Sequence, residues 1–479
     1  MNRAIGRIFV IAAVLFAALV VNLTYLQVFA AKSLRDKPEN HRRIAEELRV
    51  RRGAILGFDG STIAGVKKQS GFWFRTYPQG AVAPQIVGYN SVRYGRSGIE
   101  LSMNDYLTGS STARGWQGIV DDALGRRQRG ANVRLTIAPA VQKAAQDALG
   151  TTRGGIVVLD PKTGAVIAAA SSPDYDPATL ESDWKRLRGD KATPLLSRTT
   201  QSLQPPGSSF KVVTAAKGLG EGKVTPTTVF YDTGTYSIGG GQVTNYHDAV
   251  FGRNTFTQAL TLSINTTFAK VGTMLGRDKL VEGMTGFGFY EVPPLELPEG
   301  LVVASGRYRG GKLLPTTAPM DELHVAWAAV GQENVLATPL QMALVAAGVA
   351  NGGQVPKPYL VQDVKDPDGR VLRRAEPGSW TTAMSPQTAQ QLNLMMQQVV
   401  SAGTGTSAAL QGISVAGKTG TAEKGDGSNV AWFIAFAPAR DPQVAVAVMV
   451  EKTPLTGGDV AAPMAADVLR VALGQPQLP

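Results

Sequence analysis

The stretch Gln204–Val213, QPPGSSFKVV, decides how the chain is read. Pro205 and Pro206 stiffen the backbone, Gly207 loosens it, and Ser208 then precedes Lys211 by one helical turn. One serine is enough to cap a helix, and a lysine three residues later adds nothing to that cap. Residues i and i+3 share a helix face, so the Lys211 amine can reach the Ser208 hydroxyl. A serine at a helix N-terminus gains from the positive end of the dipole, and its own N–H is free for an oxyanion. Lysine serves as a base only where burial lowers its pKa; Phe210, Val212 and Val213 supply apolar neighbours for that. The stretch is either a capped helix start or a nucleophile with its base.

Two further polar clusters bear on the choice. Ser263-Ile264-Asn265 interrupts the helix-like run LTLSINTTFAKVG. It is either a helix break, because Ser and Asn compete for backbone partners, or a polar prong on a cleft. In the second case the hydroxyl relays a proton and the amide holds a carbonyl. Lys418-Thr419-Gly420-Thr421 sits in an apolar strand. A strand glycine marks close approach of something to the backbone. A cation with two hydroxyls beside it suits a carboxylate-bearing ligand, whereas a guarded sheet edge is the structural alternative. Each cluster alone is weak. Their joint occurrence, in the order S-x-x-K, S-x-N, K-T-G, is restrictive.

The remaining sequence sets the frame. A chain of 479 residues, 43% hydrophobic and 18% charged, folds into two or more domains around a large core. The formal charge of +11 calls for an anionic partner. The basic residues gather near the N-terminus rather than in a stack with interleaved aromatics, which fits a membrane surface and not nucleic acid. Cysteine is absent, and His41, His247 and His324 stand singly, so disulfides, thiolate sites and a histidine-rich metal site are not expected. Ile8–Ala31 is apolar over the length of a bilayer span. It reads as an uncleaved anchor, with a cleavable signal as the competing reading. Flanking charge leaves its orientation open, since long C-terminal domains translocate regardless of it.

Residues 32–150 show short strands and turns, followed by a helical pattern ending at Gly150. GGIVVLD and AVIAAAS, joined by PKTG, form a hairpin; ISVAGKTGTAE, VAWFIAFAPA and QVAVAVMVEK are three late strands. Mostly helical patterns lie between them. The economical arrangement is an α+β domain, one antiparallel five-stranded sheet of two early and three late strands with helices on its faces.

The three motifs make the chain resemble class B penicillin-binding proteins, the peptidoglycan D,D-transpeptidases. PPGSSFK looks like that family's nucleophile stretch, GQENVLATPLQMA and GTGTSAALQGISVAGKTGTAE like its later blocks, and Arg52-Gly53, RTYPQG and GRSGIE like pieces of its N-terminal region. GFDG at Gly57–Gly60 departs from it, since the family often has Asp-Arg before a glycine. The resemblance implies a short cytoplasmic N-terminus and transmembrane helix (1–31), a β-rich pedestal (32–150) and a transpeptidase domain (151–479). Ser208 is then the nucleophile, Lys211 the acylation base, Ser263 a proton relay and Asn265 a holder of the substrate amide. Lys418 supplies positive potential, while Thr419, Gly420 and Thr421 bind the substrate, the two hydroxyls taking its carboxylate. The N–H groups of Ser208 and Thr421 form the oxyanion hole. The substrate is a D-Ala-D-Ala stem peptide, β-lactams are inhibitors, and neither cofactor nor metal is needed. The catalytic domain lies outside the cytoplasm, and a membrane-embedded glycan polymerase of the SEDS type is the expected partner. Glu100 either docks that polymerase or pairs with Arg52 or Arg75. The rival readings are a D,D-carboxypeptidase or β-lactamase-like hydrolase and a non-catalytic cell-wall scaffold; a glycosyltransferase domain does not fit in residues 32–150.

Overall fold

The computed structural model describes residues 2–30, 47–110, 129–424 and 427–474. Helix α1 (Asn2–Thr24) opens the chain. Ile5–Gln27 is long and apolar enough to cross a membrane, and none of it is buried against the rest of the protein. Strands β1 (Ile55–Leu56), β2 (Thr62–Gln69) and β3 (Phe72–Thr76), the short helix α2 (Gly98–Ser102) and strand β4 (Asn132–Leu135) follow. Next come α3 (Pro139–Leu149) and the hairpin β5 (Gly154–Leu159) and β6 (Val166–Ser172). The middle carries α4 (Lys211–Gly220), α5 (Phe256–Thr261), α6 (Asn265–Gly286) and α7 (Pro339–Ala350). The last part comprises β7 (Val361–Lys365), β8 (Val371–Arg374), α8 (Pro386–Ala402), β9 (Ala416–Glu423), β10 (Asn429–Ala437), β11 (Val444–Thr453) and α9 (Ala462–Leu473).

The expected five-stranded sheet is present, in the order β9–β10–β11–β5–β6 and antiparallel throughout. Its central strands are apolar on both faces because helices cover both, so neither face can turn polar residues to water. Alternate residues of β10 enter two separate cores. Trp432, Ile434 and Phe436 pack with Met342 and Leu344 of α7, whereas Ala431, Phe433 and Ala435 pack with Val141 of α3 and Leu469 of α9. The fold is α+β, as read from the sequence.

The pedestal sheet has six strands, ordered β8–β7–β4–β1–β2–β3. Two of them, β7 and β8, come from beyond residue 360, so the sheet is not confined to the N-terminal third. The middle is also less helical than its pattern: Val229–Asp232 pairs with Gly252–Thr255, and Thr235–Ile238 with Gly241–Thr244.

Glu100 is fully buried at the first turn of α2. Its carboxylate accepts from Arg52 Nε at 2.9 Å and pairs with Arg75 through the other oxygen. Arg52 Nη1 also donates to Asn104 Oδ1 at 2.7 Å, and Arg75 Nη1 to the Gly53 carbonyl at 2.7 Å. Burial pushes the Glu100 carboxyl up, but Arg75 and Arg52 together hold it below its ordinary value. Of the two expectations for Glu100, the structure gives the ion pair. A carboxylate with no exposed surface is not a docking contact.

Candidate active site

The stretch around Ser208 is shaped by its neighbours. Gly207 has φ +52°, and a Cβ there would stand 2.7 Å from the Thr421 carbonyl oxygen. Residues Gly207–Phe210 form a single tight 3₁₀ turn, and the α-helix starts only at Lys211. The turn is pinned from two sides, by a loop and by the sheet. Gly207 N–H donates to the Gly331 carbonyl at 2.9 Å, and Trp432 Nε1 donates to the Pro205 carbonyl at 2.9 Å. Ser209 is buried and turns its hydroxyl back onto the Pro206 carbonyl at 2.7 Å, so it does not compete with Ser208.

Ser208 lines a cleft of about 790 Å³, together with Ser263, Asn265, Thr419 and Thr421. Lys211 and Lys418 lie beneath that lining, both with no exposed surface. A second cavity, of about 270 Å³, lies between Phe58, Pro139, Ile167 and Ala472 and holds none of these groups.

Lys211 does not make the expected bond to Ser208. Its Nζ donates instead to the Ser263 carbonyl and to Asn265 Oδ1, each at 2.7 Å, with Ser263 Oγ at 3.3 Å. Two carbonyl oxygens are stronger acceptors than one hydroxyl, and they take the amine first. Burial, then the nearby Lys418, holds the Lys211 amine well below the usual lysine range. A neutral amine has two N–H groups, which these two carbonyls satisfy. Its lone pair is left for a hydroxyl proton, as a base requires.

Lys418 Nζ donates to Ser263 Oγ at 2.9 Å and to the Thr419 carbonyl at 3.0 Å, and burial lowers its pKa to about 7. Among the described residues neither lysine has a carboxylate partner. Ser263 reaches both because the chain breaks there. It sits between α5 and α6 with φ +62°, a left-handed conformation that costs a serine on the order of 1–3 kcal/mol.

Asn265 is the first residue of α6, whose preceding Ile264 cannot cap it. Asn245 supplies the cap from elsewhere: its Oδ1 accepts from the N–H groups of Asn265 and Thr266 at 2.9 and 3.1 Å. Asp232 in turn holds Asn245 Nδ2 at 2.9 Å. Burial pushes this carboxyl up, but the Thr266 hydroxyl, the Phe251 and Gly234 amides and Asn245 bring it below the ordinary value. Asn265 Nδ2 donates to the Thr244 carbonyl at 2.9 Å, which leaves one N–H of the amide for the cleft.

Along β9 the side chains alternate. Thr419 and Thr421 line the cleft, and Gly420 does not. A Cβ at Gly420 would stand 2.6 Å from the Pro206 carbonyl and 2.9 Å from Trp432 Cβ, so this glycine admits the turn that carries Ser208 rather than a ligand. The Thr421 hydroxyl accepts from Gly457 N–H at 3.2 Å, which leaves its own hydrogen for a ligand. Thr419 shares a 2.6 Å hydrogen bond with Thr404.

The sequence reading missed Asp232, Asn245 and Thr404, which position the named residues. Thr404 lies in a quoted block, and YDTG and TNYHD would have drawn attention to the other two only with their pairing known.

Comparison with known proteins points to one family. The penicillin-binding protein transpeptidase domain matches residues 154–470, and the penicillin-binding protein A dimerisation domain matches residues 52–133. The chain is 36% identical to the peptidoglycan D,D-transpeptidase PbpA of Mycolicibacterium smegmatis, over 99% of each. It is 29% identical to stage V sporulation protein D of Bacillus subtilis, over 83% of this chain and 64% of that protein. Among solved structures, penicillin-binding protein A of M. tuberculosis, as a ceftriaxone acyl-enzyme complex, superposes with a TM-score of 0.81 at 33% identity, covering 89% of this chain and 99% of that one. With a transpeptidase-domain match over residues 154–470 and a relative 36% identical over 99% of each chain, the chain belongs to the penicillin-binding protein transpeptidase family.

Proposed function

We propose that the protein is a monofunctional peptidoglycan D,D-transpeptidase that works through an ester on Ser208. The observation that carries this reading is the pair of buried lysines converging on Ser263 beside a cleft that exposes the Ser208 side. Ser208 Oγ attacks the carbonyl between the two terminal D-alanines, and its proton passes to the Lys211 lone pair. The tetrahedral oxyanion is held by the N–H groups of Ser208 and Thr421; removing one such donor typically costs about 2.7–4 kcal/mol. The D-alanine amine leaves with a proton relayed through Ser263. An amine of a second stem then attacks the ester, loses a proton by the same relay and frees Ser208. The hydroxyls of Thr419 and Thr421 receive the terminal carboxylate, Lys418 beneath them supplies positive potential, and the spare N–H of Asn265 receives the substrate amide. Gly420 acts as a spacer behind them.

A β-lactam presents a strained carbonyl beside a carboxylate and acylates the same serine, a reading supported by the acyl-enzyme of the M. tuberculosis relative. We assign residues 1–31 to a short cytoplasmic tail and membrane span, 32–150 to the pedestal, which β7 and β8 complete, and the rest of 151–479 to catalysis outside the membrane. A membrane-embedded glycan polymerase is the partner this arrangement suits. The test is mass spectrometry of the penicillin-labelled protein, followed by incubation with a D-Ala-D-Ala donor peptide and an added amine. Modification of Ser208 and formation of the amide support the reading. Release of the free acid alone would make the protein a hydrolase.

A further inference from the structure

The hairpin of β2 and β3 serves neither the cleft nor the core at its tip. Ser70 and Gly71 both take positive φ, at 50° and 87°, which makes a tight two-residue turn of the kind that projects two strands. Lys67 through Phe72 are exposed, as is Phe74. The register places Lys67 opposite Phe74 and Gln69 opposite Phe72, so one face carries two phenylalanines and a lysine. On the other face Trp73 lies under Arg51 and Lys68, at 5.6 and 5.8 Å from their charged groups. From Gly60 to Ile99 the sequence has no acidic residue. β3 is moreover the outermost strand of its sheet, where exposed aromatics are a liability unless something covers them.

We propose that this tip rests in the headgroup layer of the bilayer that α1 spans, with a preference for anionic lipid. The proposal rests on reading α1 as a membrane span. Aromatic rings with an apolar body, flanked by long basic side chains, have the chemistry of the membrane–water interface. The tether is short. Trp73 N–H donates to the Leu48 carbonyl at 2.7 Å, so the hairpin is fastened to the chain soon after α1. Sixteen residues separate Ala30 from Glu47, which at full extension reach about 55 Å. The hairpin therefore stays within reach of the surface, and its cations face a layer of opposite charge whose pull fades over a Debye length.

The absence of cysteine allows a direct test. The full-length Gln69→Cys protein, labelled with an environment-sensitive fluorophore, is reconstituted into phosphatidylcholine vesicles with or without phosphatidylglycerol. Headgroup-spin-labelled lipid should quench the label where phosphatidylglycerol is present, and less at high salt. At about fivefold in partitioning per basic residue, Lys67→Glu with Lys68→Glu should lower the docked-to-free ratio at least twentyfold. Phe72→Ser with Phe74→Ser should abolish quenching in the phosphatidylglycerol vesicles, while penicillin acylation stays unchanged. A label that remains in water in all vesicles overturns the proposal. So does protection seen only in native membranes, which would make the hairpin a protein-binding edge. Resistance of the chain to alkaline extraction, measured alongside, tests the span separately.

Discussion

Lys211 and Lys418 share one oxygen: the Ser263 hydroxyl lies 3.3 Å from the first Nζ and 2.9 Å from the second. Two fully buried amines so placed, with no carboxylate partner among the described residues, cannot both hold a proton without cost. Burial brings Lys418 from 10.5 to about 7. Between those values the unfolded chain binds a proton that the folded site gives up. Its contribution to stability is thus complete above about pH 10.5 and lost as pH falls toward 7. Relative to Lys418→Met, the wild type should gain up to about 1.4 kcal/mol per pH unit across that window. Urea unfolding of both proteins at several pH values checks this; parallel curves would mean Lys418 titrates normally.

Lys211→Met should fold and lose β-lactam acylation by about 10²–10⁴-fold, the usual worth of a general base. The substitution leaves the Ser263 carbonyl and Asn265 Oδ1 without their donor, at about 1–3 kcal/mol for an unsatisfied buried group. Acylation is therefore compared at a temperature where both proteins are folded. In the wild type the acylation rate should rise through a pKa well below the usual lysine range. Lys211→Met should show no such limb.

Thr421→Val removes a hydroxyl that faces the cleft and also accepts from Gly457 N–H. Hydrogen bonds to charged groups contribute about 1.5–3 kcal/mol, so acylation by a carboxylate-bearing β-lactam should fall roughly 10- to 150-fold. A β-lactam analogue lacking that carboxylate separates the two roles: equal losses for both compounds would assign Thr421 to holding Gly457.

Gly420→Ala tests the spacer. The new Cβ would meet the Pro206 carbonyl at 2.6 Å and push the turn that carries Ser208. Displacements near 1 Å cost on the order of 10²-fold in reactivity. Penicillin labelling should drop by about that factor while circular dichroism stays native.

Glu100→Gln leaves two buried arginines without their carboxylate and should destabilise the protein by about 3–5 kcal/mol. Because Arg75 and Arg52 hold Glu100 below its ordinary pKa, this stability is present above about pH 4.5 and lost as pH falls through the folded value. The gap between wild type and variant should therefore narrow in acid. An acylation rate per folded molecule that is unchanged would place the damage in the pedestal alone.

Periodicity and motif order by themselves determined much of this protein. Alternating or continuous apolar runs name the strands of the five-stranded sheet, since strands buried on both faces have no other composition available. That Ser208, Lys211, Ser263, Asn265, Lys418, Thr419 and Thr421 would gather in one place could be expected, because residues so far apart seldom fall into that order by chance. The tertiary structure decided where their bonds go. Lys211 bonds to Ser263 and Asn265 rather than to Ser208, because the helix begins one turn late and the nearest strong acceptors lie at the break between α5 and α6 and at the first residue of α6. Gly420 separates a turn from a strand, Asn245 caps a helix it does not precede, and Glu100 is enclosed by two arginines. The pedestal takes two strands from beyond residue 360. Each of these is a contact between segments distant in the chain, and local sequence carries no record of which distant segment will arrive.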